Sequence, residues 1–139
     1  MSSWIAAELE VIGARHGLQV SPFREDGVTY GTPTWVWGVV VGSDVYARAY
    51  SGTASTWYQA AVRQQAGRIR CGRLIRNVTF EPVAGPINDQ IDAVYRAKYG
   101  SSKYVPEMTG ERVRAATVRI IPARPVGTEG SETRGRIER

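Results

Sequence analysis

Apolar residues first recur at helical spacing at Trp4, Ile5, Leu9 and Ile12, with Ser3 placed as an N-cap and Gly17 placed to stop the chain after His16, which predicts a helix. From Leu18 the period shortens. Leu18 to Ser21 reads as short and extended, Phe23 to Gly31 carries Asp26-Gly27 as a turn signal, and Thr32 to Val41 is a β-branched and aromatic run bounded by Gly42. Beyond the Gly42-Ser43-Asp44 turn, Val45, Ala47 and Ala49 alternate with Tyr46, Arg48 and Tyr50, so a third strand joins this hairpin in a meander. Ser51, Thr53 and Ser55 each offer an N-cap hydroxyl to a short helix through Trp57, Ala60, Ala61 and Gln64, with Gly67 as its closing residue.

Arg68 to Cys71, a Gly72-Arg73 turn and Leu74 to Val83 predict a second hairpin with Leu74, Val78 and Phe80 facing inward. Ile87, Ile91, Val94, Tyr95 and Lys98 mark a third helix, opened by Gly85-Pro86 and stopped by Gly100. Ser101 to Arg114 is polar and contains Gly and Pro, which predicts a surface loop with Met108 near its tip, and Ala116 to Ile121 reads as a last strand. Residues 125–139 contain one bulky apolar residue beyond Val126, Ile137, so a disordered tail is expected after a single domain over 1–124. Six short strands with about three helices between and after them describe an α+β domain, most simply a small antiparallel barrel whose closure hides the strand edges.

Composition narrows the chemistry more than it identifies it. At 139 residues, 42% hydrophobic and 22% charged, the chain has the make-up of one globule with its own core. No apolar run reaches the ~18 residues of a spanning helix, and the N-terminus lacks the basic segment of a signal peptide, which sets the expectation of a cytoplasmic protein with no membrane partner. One cysteine, Cys71, and one histidine, His16, exclude an internal disulfide and the usual Cys/His metal sites. No Walker loop, nucleophile elbow or zincin motif is present. His16 at a helix end suits a capping role better than a catalytic one, and Cys71 suits a small buried hydrophobe.

The formal charge of +5 is uneven: no acidic residue occurs from Val45 to Phe80, where Arg48, Arg63, Arg68, Arg70, Arg73 and Arg76 fall. Such a segment either attracts an anion or is balanced in the fold by acids such as Glu81, Asp89 and Asp92. Within it, residues 46–63 gather phosphate-binding parts: Arg48, the hydroxyls of Ser51, Thr53 and Ser55, Gly52 for close backbone approach, and the free amides of a helix start. The alternative is an ordinary N-cap cluster with a salt-bridged arginine. Trp35, Trp37, Tyr46, Tyr50, Trp57 and Tyr58 can form a stacking wall for a planar ring, or simply core.

The stretch from LQVSPFREDGVTYGTPTWVWGVVVGSDVYARAYSGTASTWYQAAV through GRIRCGRLIRNVTFEPV to INDQIDAVYRAKYG resembles a bacterial family of about this length known only as a domain of unknown function. More distantly, the order of strand, turn, a strand opening on Thr-Pro, a strand ending in a small-residue loop, and Trp-Tyr at a helix start is similar to deazaflavin-dependent nitroreductases, members of the flavin-binding split barrels related to pyridoxamine phosphate oxidase. That resemblance implies a split barrel, a homodimer, and FMN or a deazaflavin in a groove of the barrel. By resemblance Thr32 and Pro33 match the second-strand start, Ser51 and Gly52 the loop near the cofactor phosphate, and Trp57 and Tyr58 the helix start. The sequence departs from those relatives at the first hairpin, where Arg24-Glu25-Asp26-Gly27 replaces a Gly-Arg-Lys-Ser-Gly type of turn. At ~4 Å and an effective dielectric near 20, each like-charge contact costs about 4 kcal/mol, so Glu25 and Asp26 oppose a diphosphate-like tail unless they face outward.

The expectation is therefore a flavin- or deazaflavin-binding oxidoreductase acting on a small organic molecule, with Arg48, Ser51, Gly52, Thr53 and Ser55 toward the phosphate and Thr32, Trp35, Trp57 and Tyr58 toward the ring. No catalytic side chain is assigned. The alternative is a cofactor-free small-molecule binder or biosynthetic cyclase or isomerase in the same groove, with Tyr46, Tyr50 or Tyr58 as donors and Arg48 fixing an acidic group. Nucleic acid ranks last: despite a pI near 9.7, the arginines alternate with Ile69, Leu74 and Val78, and no helix-turn-helix or RNP signature occurs.

Overall fold

The structure, a computed structural model, describes residues 3–123; the tail expected at 125–139 lies outside the described residues. Helix α1 (Ala6–Ala14) starts later than a Ser3 cap predicts, with Ile5 in the N-cap position. The reason is Trp4, which turns into the core and donates its indole N–H to the Ile120 carbonyl at 2.9 Å. With no hydroxyl at the cap, the Glu8 carboxylate accepts the Ile5 N–H instead.

Strands β1 (Leu18–Pro22), β2 (Thr34–Val36), β3 (Gly38–Val41), β4 (Asp44–Arg48), β5 (Ala66–Cys71), β6 (Leu74–Pro82) and β7 (Thr117–Pro122) form one sheet in the order β2-β1-β5-β6-β7-β4-β3. Every pairing is antiparallel. The two strands at the ends of that order are halves of the run expected as a single strand. Val36 pairs with Leu18 of β1, whereas Gly38, two residues on, pairs with Ala47 of β4. The chain thus changes partner at Trp37, and the two sheet edges become successive residues of one segment. The result is a nearly closed antiparallel barrel of seven strands, one more than expected because the bent run counts twice.

The turns follow the sequence signals. Asp26 Oδ1 accepts the N–H groups of Val28 and Thr29 at 2.9 and 2.8 Å, and Gly27, Gly42 and Gly72 take positive φ at the three hairpin turns. Helix α2 (Thr56–Gln64) is capped by Ser55 as anticipated, but it closes on Gln65 at φ 61°, not on Gly67. Gly67 belongs to β5, where a Cβ would meet the Ser21 carbonyl oxygen at 2.4 Å, so the close β1–β5 approach is what requires glycine.

Inside the barrel, Leu18, Val20, Val45, Ile69, Val78, Phe80 and Ile120 pack with Ile12 of α1 and with Trp57 and Ala61 of α2. A second cluster lies outside it, where Ile91, Tyr95 and Tyr99 of α3 (Ile87–Tyr99) cover Val39 and Tyr46. The segment expected as a surface loop instead forms α4 (Val105–Met108) and α5 (Glu111–Arg114), which bury Val105, Met108 and Val113 in that cluster. Burying each such side chain contributes about 1.5–3 kcal/mol, which is why the segment folds back in place of looping out. There are five helices among the described residues, none long and apolar enough to cross a membrane.

Candidate functional site

Where β2 and β3 part, the barrel has a seam. β3 and β4 stop pairing at Gly38 and Ala47, and Thr34–Val36 swings away to β1, so the end of β4 loses its neighbour on that side. Three side chains from α3 satisfy the carbonyls around the parting: Tyr95 donates to Trp37 O at 2.7 Å, Lys98 to Gly38 O at 2.7 Å, and Tyr99 to the His16 carbonyl. Burial raises the pKa of both phenols and lowers that of the Lys98 ammonium, because each charged form loses water there.

The seam opens as a recess of about 1060 Å³. It is lined by Thr34 to Trp37 of the parting run, by Arg48, Tyr50 and Ser51 after β4, by Ser55, Thr56 and Trp57 at the start of α2, and by His16, Gly17, Tyr104 and Met108. Its surface is chiefly aromatic. Trp37 stacks on Tyr99 with centroids 4.0 Å apart and planes within 4°, His16 meets both edge-on, and Tyr104 sits edge-on to Trp37 and Tyr50. Trp35 is 70% exposed, an unusual setting for the largest apolar side chain and one that leaves a free ring face at the mouth.

Of the residues expected to bind a ligand, Trp35, Arg48, Ser51, Ser55 and Trp57 line this recess, and Thr32, Gly52, Thr53 and Tyr58 do not. Thr32 accepts from Arg24 on the first hairpin at 3.2 Å. Gly52, at φ +75°, packs against Arg112 in the 3-10 turn Gly52–Ala54, and the Thr53 carbonyl accepts from Gln59. Tyr58 points its hydroxyl to Ala115 O at 3.4 Å. Tyr46, a donor in the alternative reading, lies in the outer cluster under α3. Thr34, Trp37, Tyr50, Thr56, Tyr104, Met108 and His16 complete the lining. Tyr104 and Met108 join the site because their polar, Pro-containing segment folds as helix and not as a surface loop; Pro106-Glu107 after Val105, with Met108 three residues beyond Val105, is the helix-start signal that places them.

Arg48 is 1% exposed, and all five of its N–H groups are engaged. Nε donates to Thr117 Oγ1 at 3.0 Å; one terminal nitrogen donates to Asp92 Oδ1 at 2.5 Å and Met108 O at 3.0 Å, the other to Asn88 O at 3.3 Å and Asn88 Oδ1 at 2.8 Å. The guanidinium joins β4 to β7, α3 and α4, and it has no N–H left for a phosphate. Of the other arginines in the acid-free segment, Arg76 pairs with Glu8, whereas Glu81 and Asp89 pair with Arg119 and Arg114 outside it. None of those other arginines lines the recess.

The polar groups that do face the recess are few. Ser55 Oγ caps α2 by accepting Tyr58 N–H, while the Thr56 and Trp57 amides, first in the helix, have no intrahelical acceptor. Glu25 and Asp26 are exposed on the first hairpin and absent from the lining, and Asp26 is engaged by its own turn. Cys71 is buried with its thiol pushed up by desolvation, as a packed hydrophobe should be. Among the described residues no cluster of His, Cys, Asp and Glu is placed to hold a metal.

A search of curated proteins finds no match. A model of the bacterial family described as an uncharacterized protein conserved in bacteria (DUF2255) matches residues 8–120, from within α1 to within β7, and the chain belongs to that family.

Proposed function

We propose that the seam of this barrel binds the ring of a flavin or deazaflavin and that the protein is an oxidoreductase acting on a small organic molecule. One observation carries the reading: a recess of about 1060 Å³ whose lining includes the aromatic side chains of Trp35, Trp37, Tyr50, Trp57 and Tyr104. A recess this size is ample for a three-ring cofactor plus a substrate. The distant resemblance to flavin-binding split barrels supports the same assignment, since it rests on the segments that supply this lining.

The residues fit the ring better than they fit a phosphate. Trp35 and Tyr50 are exposed and offer ring faces, Trp37 has one face stacked on Tyr99, and Trp57, largely buried in the core, contributes an edge; the Thr56 and Trp57 amides with the Ser51 hydroxyl can serve a ring carbonyl. When bound, the ring supplies hydride transfer. The chain's own part is to orient the ring between β2 and α2 and to keep water off it with Trp35, Tyr104 and Met108. The homodimer implied by the resemblance belongs to this proposal, and light scattering of the purified protein tests it.

The test is an absorbance spectrum of the purified protein, followed by thermal melting with FMN and a deazaflavin. Ligand at ~100 times its Kd raises stability by about 2.7 kcal/mol, a shift of several degrees. A colourless protein whose melting point neither ligand moves would retire the proposal. The competing reading is a cofactor-free binder or cyclase in the same recess; with Arg48 engaged and Tyr46 and Tyr58 outside the lining, it keeps Tyr50 as donor, joined by Tyr104, and takes a neutral ligand in place of an acidic one. Saturable binding of neutral aromatics with no flavin binding would select it.

A further inference from the structure

We infer that the recess chooses its ligand by the planar ring alone and leaves any phosphate tail in solvent, so that the part it recognises is an uncharged aromatic heterocycle. This deepens the ring-binding reading above and rests on it.

The inference starts from charge. A phosphate monoester carries about −1.5 to −2 at neutral pH and is normally met by Arg or Lys, whose charge-assisted bonds are roughly twice as strong as neutral ones. Among the described residues the only arginine in the lining has each N–H taken by Asp92, Asn88, Met108 or Thr117, and its charge is already opposed by Asp92. Among the described residues His16 is the one other lining side chain able to carry positive charge, and it meets the stacked Trp37–Tyr99 pair edge-on. The remaining arginines of the acid-free segment lie elsewhere: Arg63 on the far turns of α2, and Arg68, Arg70, Arg73 and Arg76 along β5, β6 and their turn. The other polar groups of the lining are uncharged, the hydroxyls of Thr34, Tyr50, Ser51, Ser55, Thr56 and Tyr104 and the first amides of α2, and such donors suit a carbonyl, which accepts hydrogen bonds without carrying a full charge into an apolar wall.

The consequence is a ligand series whose affinity ignores the tail. Lumiflavin, riboflavin and FMN share one ring and differ in the side chain; only FMN carries phosphate. Each is titrated against the full chain, following flavin fluorescence, at low and at high salt. The expected result is three dissociation constants within about threefold of one another and no loss of FMN affinity in salt, because no ion pair with the protein forms. FMN binding roughly 30-fold tighter than riboflavin, with that advantage removed by salt, would overturn this inference and leave the flavin reading standing, since a gap of that size needs a charged anchor. Failure of all three to saturate would overturn the flavin reading and this inference with it.

Discussion

Replacing Arg48 with methionine separates its two conceivable jobs, anchoring a ligand and holding the fold together. The side chain is fully buried, its partner Asp92 is 8% exposed, and five hydrogen bonds tie it to Thr117 on β7, Asn88 and Asp92 on α3 and Met108 on α4. Methionine keeps much of the volume but leaves the Asp92 carboxylate with only Arg114, at 3.4 Å, for a counter-charge. Removing one partner of a buried pair costs about 3–5 kcal/mol, a large share of the 5–15 kcal/mol that stabilises a typical domain. At roughly 3–5 °C per kcal/mol for a chain this size, the melting point should fall by about 10–20 °C. Urea unfolding of wild type, Arg48→Met, Asp92→Leu and the double variant forms the assay. The double variant should recover much of the loss, since replacing both charges leaves none buried alone. An Arg48→Met protein within ~1 kcal/mol of wild type, but unable to bind ligand, would refute the structural role and return Arg48 to the anion site.

Three further outcomes follow from particular contacts. Trp35→Ala removes an exposed ring that supports no core, so unfolding should stay within ~0.5 kcal/mol of wild type while ligand affinity falls about tenfold, the scale of one lost stacking contact; unchanged affinity would place the ring elsewhere. The Asp26 carboxyl should titrate near 2, below its ordinary 3.8, because the Thr29 hydroxyl and the Thr29 and Val28 amides bind its charged form. Its depressed value means that the contribution to the first hairpin is whole above about pH 4 and is lost as pH falls through 2; carbon NMR of the carboxyl checks this, and a midpoint near 4 would contradict it. Cys71 should resist a thiol reagent in the folded protein and react on unfolding, its thiol being buried and its pKa raised; labelling at the free-thiol rate in native buffer would show the strand open.

The parts of this fold legible in sequence are those that local chemistry decides. Asp26-Gly27, Gly42 and Gly72 mark turns because positive φ is cheap for glycine, and the alternation through Val45 to Tyr50 marks a strand because small apolar residues face the barrel while Tyr46 and Arg48 face α3, both sides being buried. What escaped was decided by distant partners. The run Thr32 to Val41 gives no local sign that it changes neighbours at Trp37, since that depends on where β1 and β4 lie. Asn88 and Asp92 look like the polar side of α3 but are buried, because Arg48, forty and more residues earlier, arrives to pair with them. The same arrival takes Arg48 out of the phosphate cluster its neighbours in sequence suggested. Trp35 and Trp57, by contrast, both line the one recess, as the residues in their sequence context suggested.

The most direct test of ring binding at that seam is a crystal structure of the protein grown with saturating riboflavin. The account predicts ring density between β2 and the start of α2, against Trp35 and Trp57, with the ribityl tail leading to solvent. A ring bound anywhere else, or a seam without one in crystals that retain riboflavin, would contradict it.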